Sequence, residues 1–183
     1  EALQLLSEEP TGKLPDAVVD LAADKQPPVR LAAIQALAAH QHARASDVLS
    51  KAVTDQDLGV KLAAVEGLGR VDTPDARRRL ARLLDEGTER VREAAIDALA
   101  DQGDVTTVYA AAKDKSWRVR RAVATALAGD RGPRAVVVAK ELLNDRSAEV
   151  RLKTVQSLTE WPLNKSAPLL LSAADSLDHR SRE

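Results

Sequence analysis

Cysteine, methionine and phenylalanine are absent from this 183-residue chain, and Tyr109, Trp117 and Trp161 are its only aromatic residues. Without cysteine there is no disulfide, no thiolate nucleophile and no cysteine-ligated zinc site. With 27 Lys+Arg against 28 Asp+Glu the formal net charge is −1. No chain-wide field therefore draws the protein to nucleic acid or to an anionic membrane. No apolar run approaches the roughly 20 residues that a membrane-spanning helix requires. Nothing in the composition assigns a compartment or an oligomeric state.

What the chain has in abundance is alanine, at 33 positions, and leucine, at 25. Both belong to a repeat, which has to be sought before elements are read one by one. The pairs Val29-Arg30, Val60-Lys61, Val91-Arg92, Val119-Arg120 and Val150-Arg151 recur at spacings of 31, 31, 28 and 31 residues. Eight residues after each Val stands a leucine: Leu37, Leu68, Leu99, Leu127 and Leu158. Five after it stand Ile34, Val65, Ile96, Ala124 and Val155. Apolar residues at i, i+5 and i+8, filled in by alanines such as Ala32-Ala33, Ala63-Ala64 and Ala94-Ala95, form one stripe of an amphipathic helix A. Alanine there favours the helix and lets neighbouring helices approach closely.

A second helical stretch, helix B, fills the rest of each repeat. Pro15, Pro74, Pro133 and Pro168 fall where a first-turn proline is tolerated, and Thr73 and Ser166 are candidate caps. The register divides the chain as 1–28 (partial), 29–59, 60–90, 91–118, 119–149 and 150–183, one array of helix pairs. A gapless shift of 31 places Leu3 on Ile34 and Leu6 on Leu37, so the chain is expected to begin inside a helix A. Both ends read as cut from a longer array, in which other domains could hold the chemistry.

An acid precedes each base by six residues: Asp24/Arg30, Asp55/Lys61, Glu86/Arg92, Asp114/Arg120 and Asp145/Arg151. A carboxylate in the turn can accept N–H bonds at the start of the next helix, where the macrodipole favours it. A guanidinium one turn into that helix can donate back to it. Five copies of one pair make no sense as catalysis, so their role is structural.

The Asp, the Val-Arg or Val-Lys pair six residues on and the following Ala-Ala-[Ile/Val]-x-x-Leu run resemble the HEAT-repeat family. The likeness is to its short bacterial repeats of the phycobilin-lyase type, and it covers essentially the whole chain. The resemblance implies an all-α fold, a right-handed α-solenoid (superhelix) of about six two-helix repeats. A helices would line the convex side and B helices the concave side. It also implies that the ten acidic and basic residues above stack into a ladder between repeats. The repeat at 119–149 departs from the pattern in Val123-Ala124. The last departs in Lys153-Thr154 and in a three-residue longer span around Trp161-Pro162.

The most basic stretch is Arg77, Arg78, Arg79 and Arg82, where Arg78 and Arg82 share a face at i, i+4. In register with them lie Asp16/Asp20, Asp47/Lys51, Thr106/Ala110 and Val137/Glu141. One reading is an anion or phosphate contact. The other is a solvated face or protein contact, which suits a strip that changes sign, turns apolar and lacks interleaved aromatics for base stacking. Val136-Val137-Val138 must turn one β-branched side chain away from the core, and exposed apolar surface can mark a partner site. Tyr109, in register with Ala81 and Lys140, is expected to be partly exposed and able to anchor a contact. Trp117 and Trp161 read as filler in turns.

His40-x-His42 lacks a nearby carboxylate or cysteine for a metal site, and the third histidine is His179. The His-Glu pairs of the HEAT-like di-iron hydroxylase are absent. Gly67-x-Gly69 is expected to end a helix and lacks the strand and third glycine of a dinucleotide loop. Asn164-Lys165-Ser166 matches a glycosylation acceptor by composition alone. No catalytic constellation emerges, and nothing calls for a cofactor. The expected role is a non-enzymatic interaction module or scaffold. It would bind a protein partner, or another domain of the same chain, through the concave helix-B face at Asp47, Lys51, Arg78, Arg82, Tyr109, Val137 and Glu141. Alternatives are a chromophore-lyase-like subunit or the accessory helical region of a larger bacterial enzyme, and, behind them, nucleic-acid binding.

Overall fold

A computed structural model describes residues 14–40 and 43–180, with side chains described as far as Ala174. The expected helix around Leu3 and Leu6 lies outside the described residues. All elements among the described residues are helical, and they form two compact units, Glu1–Gly87 and Thr88–Glu183.

In the first unit the helices are α1 (Ala17–Leu21), α2 (Pro27–Ala39), α3 (Ala45–Ala52), α4 (Leu58–Val71) and α5 (Pro74–Glu86). Helices α2 and α4 are the A helices, and they pack on each other, with α3 filling against α4. In the second unit α6 (Glu89–Asp101), α8 (Trp117–Ala126) and α10 (Ala148–Leu158) are A helices. There α8 packs on both α6 and α10. The B elements are α7 (Val105–Ala110), α9 (Pro133–Leu143) and α11 (Leu163–Arg180). Short 3-10 turns, Ala111–Lys113 and Leu127–Gly129, follow α7 and α8. Each unit is thus a stack of helix pairs, the packing of an α-solenoid.

Every A helix starts two residues before its Val, at Pro27, Leu58, Glu89, Trp117 and Ala148. The stripe then faces inward: Ile34, Leu37, Val65, Leu68, Ile96, Leu99, Ala124, Leu127 and Leu158 have no exposed surface. Packing of these side chains, rather than helix propensity, is what stabilises helices this short. In the last repeat Thr154 stands where others have alanine, and its hydroxyl donates to the Val150 carbonyl at 2.8 Å, so burial leaves it satisfied.

Helix starts use the expected chemistry at α5 and α9, where Pro74 and Pro133 occupy the first turn. Thr73 caps α5 by accepting from the Ala76 N–H at 3.1 Å. The last B helix corrects the expectation. It begins at Leu163, so Pro168 lies inside it and Ser166 is a buried helical residue rather than a cap. The reason is that the Pro162 carbonyl already accepts from Lys165 and Ser166 N–H at 2.9 and 3.1 Å, nucleating the first turn upstream. Gly67 and Gly69 likewise lie within α4 and do not end it; Asp72, with φ of 45°, supplies the left-handed C-cap.

Candidate functional site

The recurrent acid and base form two kinds of bond. Each described turn aspartate accepts the N–H two residues on: Asp24 from Gln26, Asp55 from Asp57, Asp114 from Ser116 and Asp145 from Ser147, at 2.7–2.8 Å. The arginine does not donate to the carboxylate six residues before it. Arg30 Nη1 instead donates to the Asp24 carbonyl at 2.9 Å, and Arg120 Nη1 to the Asp114 carbonyl at 2.8 Å. The Nε and Nη2 of Arg30, Arg92 and Arg120 then fork onto the aspartate that follows helix B of the arginine's own repeat. Arg30 grips Asp55 at 2.7 and 2.8 Å, Arg92 grips Asp114 at 2.8 and 2.8 Å, and Arg120 grips Asp145 at 2.6 and 2.8 Å. One planar guanidinium so ties two repeats together, which an ammonium cannot do. Lys61 and Glu86 do not copy this geometry, since Glu86 accepts from Arg79 at 3.1 Å.

Electrostatics follow the geometry. The Arg30 fork, against some burial, holds the Asp55 carboxyl below the usual range. For Asp114 and Asp145 burial opposes ionisation most strongly, but the fork and the turn N–H together outweigh it and lower both.

The ladder geometry is accompanied by a family match: the model for HEAT repeats matches residues 15–100 and 105–183. The chain belongs to the HEAT-repeat family. Among solved structures, YibA of Escherichia coli is similar at TM-score 0.63 and 18% identity, over 86% of this chain and 61% of that one. The CpcE–CpcF complex of phycocyanin lyase from Nostoc sp. PCC7120 gives TM-score 0.62 and 18% identity, over 84% and 68%. A designed armadillo repeat protein gives 0.52 and 20%, over 79% and 81%. The HEAT chain thus spans about three fifths of YibA's length. No curated protein matches it in sequence.

The helix-B strip of this HEAT protein is exposed throughout. In the first unit Asp16, Asp20, Asp47, Lys51, Arg78 and Arg82 are all open to solvent, as are Thr106, Ala110, Val137 and Glu141 in the second. Val137 is 64% exposed while its neighbour Val138 is buried, so the three-valine run does present one apolar side chain outward. The basic stretch is largely neutralised: Arg77 pairs with Asp72 at 2.7 Å, Arg78 with Asp75 and Arg79 with Glu86. Arg82 reaches only the Arg78 carbonyl, at 3.4 Å, and forms no ion pair among the described residues. Beside the strip, the last turns of α1 and α3 line a groove of about 590 Å³, whose wall includes Lys51, Arg44 and the Arg30–Asp55 pair.

Tyr109 does not belong to that surface. It is 4% exposed, and its hydroxyl donates to Asp130 at 3.0 Å. The ring turns inward onto Asp130 although Thr106 and Ala110 on the same helix, like Lys140 in the next repeat, are exposed. Burial and the Asp130 carboxylate both raise its phenol pKa.

Trp117 is the first residue of α8 rather than a turn residue, half-buried with the Arg118 guanidinium 4.6 Å above its ring. Trp161 is buried, and its Nε1 donates to the Leu127 carbonyl at 2.6 Å. His40 is an exposed C-cap of α2; His42 and the His179 side chain lie outside the described residues. Among the described residues no group of three or more His, Cys, Asp or Glu could hold a metal, and no helix is long and apolar enough to cross a membrane.

Proposed function

We propose that this HEAT-repeat chain is a non-enzymatic scaffold that binds a protein partner, or another domain of its own chain, along the helix-B strip. The observation that carries this reading is that every strip position from Asp16 to Glu141 is exposed, although the A-helix stripe in the same repeats is buried. The first unit contributes mixed charges and the second Thr106, Ala110 and Val137, a composition suited to many modest contacts on a protein surface. The carboxylates beside Arg77, Arg78 and Arg79 favour a protein over a nucleic-acid backbone. Retention on DNA that falls steeply with salt would reverse that preference.

A photo-crosslinker placed at Arg82, and another at Arg90 outside the strip, tests the reading in cells. Partner adducts are expected from position 82 alone and should be lost when R78E is added. Equal labelling from both positions would reject the strip. The similarity to the phycocyanin lyase complex supports a second reading, a chromophore-lyase-like subunit. Mixing the chain with a bilin should then change its absorption spectrum, and an unchanged spectrum counts against this role.

A further inference from the structure

The turn clamp is missing after α5, in the middle of the chain. Asp55 and Asp145 stand beyond the ends of their B helices, which stop at Ala52 and Leu143. Their side chains and that of Asp114 are only 8–13% exposed. Each of the three holds a guanidinium fork and the N–H two residues on. Helix α5 instead runs through Glu86, whose side chain is 60% exposed and bonded to Arg79 of the same helix at 3.1 Å. Among the described residues Glu86 receives no bond from Lys61 and none from the Thr88 N–H. Lys61 donates no hydrogen bond there and acts on Asp55 through its charge alone. Where the clamp exists it anchors the start of the next A helix. Arg120 holds Asp145, Asp145 holds the Ser147 N–H, and the Ser147 carbonyl accepts the Arg151 N–H at 3.2 Å. The Thr88 carbonyl likewise accepts the Arg92 N–H, at 2.9 Å, but the Glu86 side chain does not anchor Thr88.

We propose that the Glu86–Thr88 turn is a weak joint built into the array, opening locally while the junctions at Asp114 and Asp145 stay shut. Two substitutions against the repeat make it so. The Lys61 ammonium lacks the planar fork that the arginines use, and Glu86 is spent within its own helix. In stacked repeats the coupling between neighbours decides where cooperativity breaks. A segment held by fewer bonds opens at lower free energy than the rest. The joint falls where the compact unit Glu1–Gly87 ends and Thr88–Glu183 begins, so the first unit can open without unclamping the second. This inference does not depend on the helix-B strip.

Residue-resolved amide hydrogen exchange by NMR on the 183-residue chain tests it. Arg92, Arg120 and Arg151 each follow a valine, so their unprotected amides exchange at closely similar rates. The Arg92 amide should exchange about tenfold faster or more than the other two. K61R/E86D, which supplies the missing fork and turn acid, should slow Arg92 by about tenfold relative to Arg120. Conversely, R120K keeps the charge but removes the fork, and should speed the Arg151 amide by about the same factor. Circular dichroism should show the same helix content in both variants. An Arg92 amide no faster than the other two overturns the proposal. So does an unchanged Arg92-to-Arg120 ratio in K61R/E86D, or an unchanged Arg151 rate in R120K.

Discussion

Arg120 holds Asp145 with two bonds, 2.6 and 2.8 Å long, while its third nitrogen reaches back to the carbonyl of Asp114 in the preceding repeat. Their side chains are only 6% and 8% exposed. The pair therefore behaves as a buried interaction whose disruption strands a charge.

Removing one partner should consequently cost more than the pair's net contribution. Asp145→Ala is expected to destabilise the protein by about 3 kcal/mol, since it leaves the Arg120 guanidinium buried without a carboxylate and the Ser147 N–H without its acceptor. Asp145→Asn keeps an acceptor for that N–H and should cost less. Urea denaturation followed by circular dichroism measures both. Equal costs for the two variants would show that the turn bond, not the charge, dominates.

The same pairs set a pH dependence. The carboxyls of Asp55, Asp114 and Asp145 lie below their ordinary range when folded. Such groups bind fewer protons folded than unfolded, so their stabilisation is complete above the unfolded value of about 4. It is lost as pH falls through the lower folded values. The urea midpoint should therefore be flat from neutral pH to about 5 and fall steeply below about 4. The fall should be shallower in Asp145→Asn, and an identical slope in that variant would remove Asp145 as a contributor.

Much of this fold is legible as sequence because burial follows the repeat: the Leu eight residues after each Val is buried in all five repeats. The acid–base pattern was visible too, but its wiring was not. Asp24 and Asp55 lie 6 and 25 residues from Arg30, and spacing alone makes the nearer one the natural partner. Three-dimensional stacking places the farther carboxylate opposite the fork and leaves the nearer residue to offer its carbonyl. Tyr109 was misplaced for a related reason. A register fixes where a Cα lies but not where a long ring folds, and the Tyr109 hydroxyl finds Asp130 inside the fold. The Gln102–Asp104 turn and the shortened repeat around it carry the only visible warning, the drop in spacing from 31 to 28.

Gly67 sits where α4 leaves no room for a side chain against α2 and α3. A Cβ built there would lie 2.9 Å from Leu49 Cδ2 and 3.0 Å from Ala38 Cβ, and Leu49 is fully buried. Gly67→Ala gains about 1 kcal/mol of helix propensity, but overpacking of this kind costs about 1–3 kcal/mol. The expected outcome is a net loss, because Ala38 Cβ cannot rotate away. Gly129→Ala, with nothing within 4 Å of its added methyl, serves as the control and should be neutral or stabilising. A more stable Gly67→Ala in thermal denaturation would mean that α2 and α4 yield without cost.

Trp161 tests the longer final repeat. The residue is 4% exposed and its indole N–H reaches the Leu127 carbonyl in the 3-10 turn that follows α8, at 2.6 Å. That carbonyl also accepts the Asp130 N–H at 3.3 Å, so losing the indole would not leave it bare. Trp161→Phe should accordingly cost about 1–2 kcal/mol, from one hydrogen bond and a smaller ring. Trp161→Ala should cost about 3–5 kcal/mol, because it empties the space between the two repeats. Urea denaturation by circular dichroism gives both values, and tryptophan emission assigns them. Trp117, half-exposed under Arg118, remains as the single tryptophan in either variant. If the phenylalanine variant loses as much stability as the alanine variant, the hydrogen bond rather than the ring holds this turn in place.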